Sequence, residues 1–508
     1  MNDTCVLASD LGSGGCKTIL LAADGQIVAE AQQEYPTYYL HPGWVEQDPD
    51  DWYAAFCATT RQVLEMSRVP PEAVQAVGIV GVTHNTVLLD QNDRPLRPCI
   101  LIFDTRSSAQ VEAIKQRWGD QILERALNDV TTTWSWPQLM WIRDTLPDVW
   151  RRTRRLLFQK DYVRHRFAPS FITDTIDAEG TLFFDPLSEQ WIPEFCADLG
   201  LDPVWLPPVV KPYEVVSEVS RQGAADTGLR AGTPVIAGTT DTVAEVLGAG
   251  AVCAGAACVK LASVGRIAVV SERPVARAHI LNYRHVVDGL WYPGTASKYA
   301  ASAFRWLREW LWSDDCGAAI YQRMDQSAAT VPAGSQGMIF HPHLMGEWAP
   351  HWNEKLRGDF LGLTVRHGRA HMTRATLEGV AFALRAALAE LESFGLEAHD
   401  IRLIGQGAQS RLWAEIVCNV LDRSLTIPQH TGAVFGTALI TAVGAGMIAG
   451  GPAALQEFVH TNFRLEPDPA LVATYDALYE IYQEADLALR TVSERLHEFE
   501  HNHSGRRD

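Results

Sequence analysis

The chain has 508 residues, 47% hydrophobic and 20% charged, which is too long for one core and ordinary for a soluble globular protein. Its 43 Lys+Arg against 61 Asp+Glu give a net charge of −18, which argues against a nucleic-acid or acidic-membrane partner, because neutralising phosphates needs a basic face. The nine cysteines (Cys5, Cys16, Cys57, Cys99, Cys196, Cys253, Cys258, Cys316 and Cys418) show no C-x-x-C or Cys/His cluster, so reduced thiols in a cytoplasmic protein are expected and a zinc site or disulfide framework is not.

The N-terminal MNDTCVLASDLGS has no basic or long apolar region, so no secretory signal is expected. CVLAS (5–9) reads as a buried strand, DLGSGGCKT as a glycine-rich turn, and ILLAADGQIVAEAQQEY as two strands joined at Asp24-Gly25, a hairpin signal. This differs from dinucleotide and P-loop openings, where the glycine-rich turn leads into a helix. DPDDWYAAFCATTRQVLEMSR (48–68) places acidic residues ahead of helical spacing. VQAVGIVGV (74–82), TVLLD (86–90) and CILIFD (99–104) read as strands, with QNDRP turning between the last two, and RRTRR (151–155) reads as a solvated helix face. Strand and helix patterns alternate to about residue 245, as in α/β architecture.

GAACVKLASVGRIAVVSE (255–272) repeats strand, small-residue turn and strand, and helical stretches follow near 299–312, 371–394, 409–421 and 467–497. Two such openings suggest a duplication, although no sequence repeat supports it. The uncharged, glycine-rich stretch 431–456 reads as a packed loop and helix rather than a membrane span. Domains are expected over 1–247 and 248–495, with a polar tail over 496–508 that frays.

A glycine-rich turn between strands presents backbone N–H groups to an anion. DLGSGGCKT adds the Ser13 hydroxyl and the Lys17 charge, and Asp10 stands where it could hold Mg2+ through a water. KLASVG offers a second turn with Ser263 and Gly265, and IGQGAQSRLW (404–413) a third; three such turns are what clamping a nucleotide requires. In GTTDTVAEVLGAG (238–250) a single carboxylate, Asp241, follows a strand-like stretch, either as a helix cap or as a catalytic base.

Taken together these segments resemble the FGGY carbohydrate kinases over nearly the whole chain. DLGSGGCKTILLAADG is similar to the family's first phosphate motif, GTTDTVAEVLGAGAV to the block with the catalytic Asp, and LASVG to the second phosphate motif. PGWVEQDPDDW, LLDQNDRPLRPCILIFDTRS, KDYVRHRF and TDTIDAEGTLFFD are similar to further family blocks. HPHLMGEWAPHW with LRGDFLGLTVRHGRAHMTRATLEGVAFAL resembles the long signature, and GQGAQSRLW the adenosine motif. The resemblance implies two actin-like (RNase H-like) α/β ATPase domains with a cleft between them, the first holding the sugar and the second mainly ATP, with Mg2+. The reaction implied is transfer of the γ-phosphoryl group of ATP to a sugar hydroxyl. Asp241 is then the general base, with Asp10 and Asp241 at the metal. Gly12, Ser13, Gly14, Gly15, Lys17, Ser263 and Gly265 are expected at the phosphates, and Gly405, Gln406, Gly407, Ala408 and Arg411 around the adenosine.

The nearest likeness is to xylulose-kinase-like members. Where those carry Met-His this chain has Thr83-His84; where they carry Trp-Asn-Asp it has Ile102-Phe103-Asp104; and Thr242 follows the base where Asn is frequent. Thr83, His84, Asp104, Asp241 and Thr242 are the expected sugar contacts. The Arg-Glu pair of glycerol kinases is absent, which disfavours glycerol. Gln406 and Ala262 stand where the family usually has Gly. The expected substrate is a ketopentose such as D-xylulose; the alternatives are another ketose or polyol (ribulose, a tetritol) or a weakly catalytic, sugar-responsive binding protein. Sugar and ATP are the expected partners, with no nucleic acid, no membrane, and a homodimer as the assembly to test.

Overall fold

The computed structural model describes residues 4–315, 317 and 319–504. The chain forms two compact units, and it does so discontinuously. The first takes residues up to Val252 together with Glu272–Tyr292 and His430–Val459; the second takes Cys253–Ser271, Pro293–Gln429 and the chain from His460. The first crossing lies close to the expected boundary after residue 247. The two returning segments do not follow a linear partition, because Tyr283, Val286, Phe435, Leu439 and Ile440 are buried in one apolar core with Val6, Ile19 and Val80.

In the first unit, β1 (Cys5–Leu11) pairs antiparallel with β2 (Gly15–Ala22), and β2 with β3 (Ile27–Glu34). β1 also runs parallel to Val74–Gly81, which is parallel to Pro234–Ile236, and that strand pairs antiparallel with Val215–Glu218. The helix Pro49–Ser67 starts where the acidic run predicts: the Asp48 side chain caps Asp50 N–H and proline takes the first turn. It buries Trp52 and Phe56 in a core shared with Leu20 and Val77.

The second unit repeats this plan. Ala256–Leu261, Gly265–Val269 and Gly294–Ser297 form an antiparallel meander. Ala256–Leu261 is parallel to Asp400–Ile404, which is parallel to Leu425–Pro428, and that strand pairs antiparallel with Thr461–Leu465. The spatial orders and senses of the six strands match, and five of them follow the same chain order, which is the actin-like arrangement; the edge strand precedes its partner in the first unit and follows it in the second.

Some sequence expectations are corrected. A turn does join 86–90 to 99–104 (Asp90 N–H to Arg94 O, 3.0 Å), but the flanking strands choose other partners. Thr86–Leu89 pairs with Arg155–Phe158, and Cys99–Ile100 with Glu46–Gln47. RRTRR is therefore not one helix face: Arg155 belongs to a strand and pairs with Asp93 at 2.8 Å. The last helix, Pro469–Ser504, continues into the tail expected to fray, as far as Ser504; residues 505–508 of that tail lie outside the described residues. The uncharged 431–456 stretch holds the buried helix Ala433–Gly444, and among the described residues no helix is long and apolar enough to cross a membrane.

Candidate active site

The sheet of the first unit sets Asp10 level with Thr239, two residues before Asp241. Asp10 on β1 lies opposite Val80, and on the other side of that strand Thr239 lies opposite the same residue. Two strand spacings, about 10 Å, separate β1 from Thr239–Thr240. Both sit at the C-terminal ends of parallel strands, where α/β sheets take their ligands. Thr240 occupies the cap position, and Asp241 is the first residue of the helix Asp241–Gly248. Asp241 Oδ1 accepts from Thr242 N–H at 2.6 Å and from Thr83 Oγ1 at 3.3 Å. A helix N-terminus favours a carboxylate there, and the side chain is only half buried. Thr83 was expected as a sugar contact; in the structure it touches the carboxylate itself.

That helix is held by close backbone approach to Ala433–Gly444. A Cβ on Gly248 would lie 2.9 Å from Gly436 N, and one on Gly436 would collide with Ala244 O. The strand before it is anchored by Asp174, whose Oδ1 accepts from Thr239 Oγ1 at 3.1 Å. Behind Asp174 lies a buried Lys160, with Nζ 2.6 Å from Asp161, 2.9 Å from Asp174 and 3.0 Å from Asp177. Burial opposes the Lys160 charge, but the three carboxylates outweigh it and raise its pKa. Burial also pushes Asp177 up to about 7, against the pull of Lys160. KDYVRHRF and TDTIDAEGTLFFD thus meet in an ion cluster behind the base, a pairing with no local sequence signal.

The Gly12–Gly15 turn closes with Gly12 N–H to Gly15 O at 3.0 Å. Tyr35 Oη donates to Gly12 O, and Gln47 Nε2 donates to Ser13 O at 2.7 Å. Gln47 Oε1 in turn accepts from Trp52 Nε1 at 2.9 Å. With its carbonyls engaged from behind, the turn exposes Ser13 and Gly14. Lys17 is directed elsewhere: Nζ lies 2.9 Å from Glu30, which is opposite Ile19, two residues farther from the turn.

His84 is buried with its backbone at φ +67°, a left-handed conformation that few non-glycine residues adopt. Nε2 lies 3.2 Å from Tyr283 Oη, and the ring packs 4.6 Å from Trp134. Gly180 leaves the space the ring needs, since a Cβ there would overlap it. Burial holds the His84 pKa well below the usual histidine range. Tyr283 comes from the returning segment 272–292, so the chain order gave no signal for it. Asp104 is also buried, but its oxygens are occupied: Arg106 Nε and Nη2 donate at 2.9 and 2.7 Å, and Val45 N–H at 2.6 Å. The Arg106 guanidinium stacks 3.8 Å above Trp44. A sugar hydroxyl at Asp104 would have to displace one of these donors.

In the second unit a cavity of about 600 Å3 lies beside two of the small-residue turns. Ser263, Gln406 and Gly407 line it, with Phe304, Tyr321 and Asp325 from flanking helices. Gly265, Gly405, Ala408 and Arg411 do not. Gly405 (φ +89°) makes the turn, and a Cβ there would meet Leu261 O at 2.6 Å. Gly265 and Ala408 are buried packing residues, and Arg411 pairs with Glu415 at 2.7 Å.

Two α/β units of this topology, each opening on a small-residue hairpin turn that can present backbone N–H groups to an anion, are a frame suited to binding a nucleotide. The model of the FGGY family of carbohydrate kinases, N-terminal domain, matches residues 5–248, and that of the C-terminal domain matches 265–445. The xylulose kinase of Lactococcus lactis subsp. lactis is 30% identical over 98% of this chain and 99% of its own length. The gluconokinase of Bacillus subtilis is 25% identical over 94% of each. The crystal structure of xylulose kinase from Rhodospirillum rubrum, 28% identical, matches with a TM-score of 0.88 over 96% of this chain and 99% of its own. The chain belongs to the FGGY family of carbohydrate kinases and is a sugar kinase, with ATP as a substrate.

Proposed function

We propose that this kinase phosphorylates a ketopentose, D-xylulose first among the candidates, with Asp241 as general base. The observation that carries the mechanism is the half-buried Asp241 carboxylate at a helix N-terminus, two residues past the strand position level with Asp10 and held by Thr83 and Thr242. The hydroxyl oxygen attacks the γ-phosphorus, its proton passes to Asp241, and the bond to the ADP leaving oxygen breaks. The donor set at the strand ends suits a hard cation: Asp10 and Asp241 are carboxylates, and the turn beside them leaves Ser13 and Gly14 open to phosphate oxygens. Mg2+ there would neutralise phosphate charge; Asp10, with Asp241, would hold it through water. Ser263, Gln406 and Gly407 are assigned to the nucleotide, with Tyr321 and Phe304 as apolar walls for its base.

The sugar assignment is supported by near full-length relatives named xylulose kinase and by His84. Gluconate is the second reading, because a gluconokinase is also similar over most of its length. ADP release measured with D-xylulose, D-ribulose, gluconate, glycerol and a tetritol tests this. A kcat/KM for D-xylulose at least tenfold above the others supports the assignment (about 1.4 kcal/mol). Preference for gluconate, or no stimulation by any sugar, overturns it.

A further inference from the structure

The sequence shows no C-x-x-C spacing, yet the second unit brings two histidines and a carboxylate onto one point away from the nucleotide cavity. His343 and His351 lie in the HPHLMGEWAPHW loop, and Asp486 projects from the helix Pro469–Ser504. His343 Nε2 is 3.1 Å from Asp486 Oδ1, His351 Nε2 is 3.4 Å from Oδ2, and the potential ligand atoms all lie within 4.8 Å of one another. In a tetrahedral site with bonds near 2.1 Å, ligand atoms stand roughly 3.4 Å apart; each imidazole already stands near that distance from its own Asp486 oxygen, and the carboxylate turns to offer one of the two to the ion. The support behind His343 also fits. Its Nδ1 faces Glu347 Oε2 at 3.4 Å, and Glu347 is itself fixed by Ser297 Oγ at 3.0 Å and Lys298 N–H at 2.6 Å. A carboxylate behind a histidine is the usual outer partner of a metal-bound imidazole.

We propose that His343, His351 and Asp486 form a binding site for a divalent zinc-class ion, with water as the fourth ligand. Two imidazoles and one carboxylate select zinc, cobalt or nickel over magnesium or calcium. The ion ties the C-terminal helix to the 341–354 loop, a structural role separate from phosphoryl transfer. Arg490 competes with it: Nη2 donates to His351 Nδ1 at 3.2 Å and approaches Asp486 Oδ2 at 3.9 Å, so the guanidinium swings aside when the ion binds. Its side chain is 41% exposed, which leaves it room to do so.

The test is a Zn2+ titration of the EDTA-dialysed full-length protein by calorimetry, with a thermal melt at each step and a Co2+ spectrum to report coordination. One equivalent of Zn2+ should bind in the low-micromolar range or tighter and raise Tm, while millimolar Mg2+ or Ca2+ leaves that transition unmoved. Co2+ should give the intense visible bands of a tetrahedral ion. His351→Gln and Asp486→Asn should each weaken Zn2+ binding at least roughly tenfold, and Arg490→Ala should strengthen it. His497 and His501, exposed one turn apart with ring centroids 4.2 Å away, are the competing surface site. His501→Gln should leave the titration unchanged. Absence of one-to-one Zn2+ binding, or binding that survives His351→Gln and Asp486→Asn but not His501→Gln, overturns the proposal.

Discussion

Thr83 Oγ1 donates to Asp241 Oδ1 at 3.3 Å, joining the end of one central strand to the start of the helix that carries the proposed base. The bond adds a side-chain donor to the same oxygen that receives the Thr242 N–H. Its loss in Thr83→Val should lower kcat about fivefold, the equivalent of one modest hydrogen bond of about 1 kcal/mol, with the KM for ATP unchanged. Steady-state kinetics read both. An unchanged kcat with a raised sugar KM would instead make Thr83 a sugar contact.

Removing the carboxylate is the sharper experiment. Asp241→Asn keeps the size and can still receive the Thr242 N–H bond, but it cannot take a proton. The expected loss in kcat is at least about a hundredfold, with ADP still binding by calorimetry. Turnover near that of the parent would show that the base lies elsewhere.

Tyr283 holds His84 Nε2 at 3.2 Å from a segment that returns to the first unit. Tyr283→Phe keeps the ring stack and removes the hydroxyl, so His84 loses the partner that orders its tautomer. We expect the sugar KM to rise several-fold, with smaller changes in kcat and in the KM for ATP. A sugar KM within error of the parent would take Tyr283 out of the site.

Much of this was legible in the sequence, and the limit is physical. Period-two alternation and Asp24-Gly25 specify the β1–β3 meander locally, and Asp48-Pro49 specifies a helix start, because these signals act within a few residues. Asp241 stood out as one carboxylate after a strand. The partners of Thr86–Leu89, the Lys160 cluster and Tyr283 were not visible, since each depends on which distant segment packs against it. Lys17 and Asp104 show the converse: their residue types suited phosphate and sugar, but Glu30 and Arg106 claim them in the folded chain. Gly265 and Gly405 serve close packing outside the cavity lining, and sequence does not separate that use of glycine from ligand contact.

His285 makes the first unit acid-sensitive. Its Nε2–H donates to Ala251 O at 3.0 Å and its Nδ1 accepts from Val287 N–H at 3.0 Å, an arrangement that accommodates only the neutral ring. Burial lowers its pKa to about 4, from 6.5 in the unfolded chain, although the Ala251 bond works the other way. A lowered histidine pKa means that the unfolded state binds more protons between these values. The stabilisation is therefore full above pH 6.5 and is lost as pH falls toward 4, by about 3 kcal/mol. His84, also lowered by burial, adds to the same window. Urea midpoints at pH 7.5 and pH 5 should differ less in His285→Asn than in the parent. Equal differences would remove His285 as a cause.

Two glycine substitutions separate the frame from the site. A Cβ on Gly436 would strike Ala244 O, and the only relief is to move the Asp241 helix away from Ala433–Gly444. Gly436→Ala should therefore cost about 1–3 kcal/mol as overpacking does, lower Tm, and reduce kcat because the carboxylate moves with its helix. Gly14 is the opposite case: a Cβ there meets no protein atom within 4 Å, so Gly14→Ala should leave Tm close to the parent's. If the Gly12–Gly15 turn receives phosphate oxygens, the added methyl blocks that approach, and the KM for ATP rises while the sugar KM is little affected. Melting curves and ATP kinetics on the two variants decide the matter. A Gly14→Ala enzyme with parental ATP kinetics would remove the turn from the phosphate site, and a Gly436→Ala enzyme with parental Tm and kcat would show that the helix contact does not position Asp241.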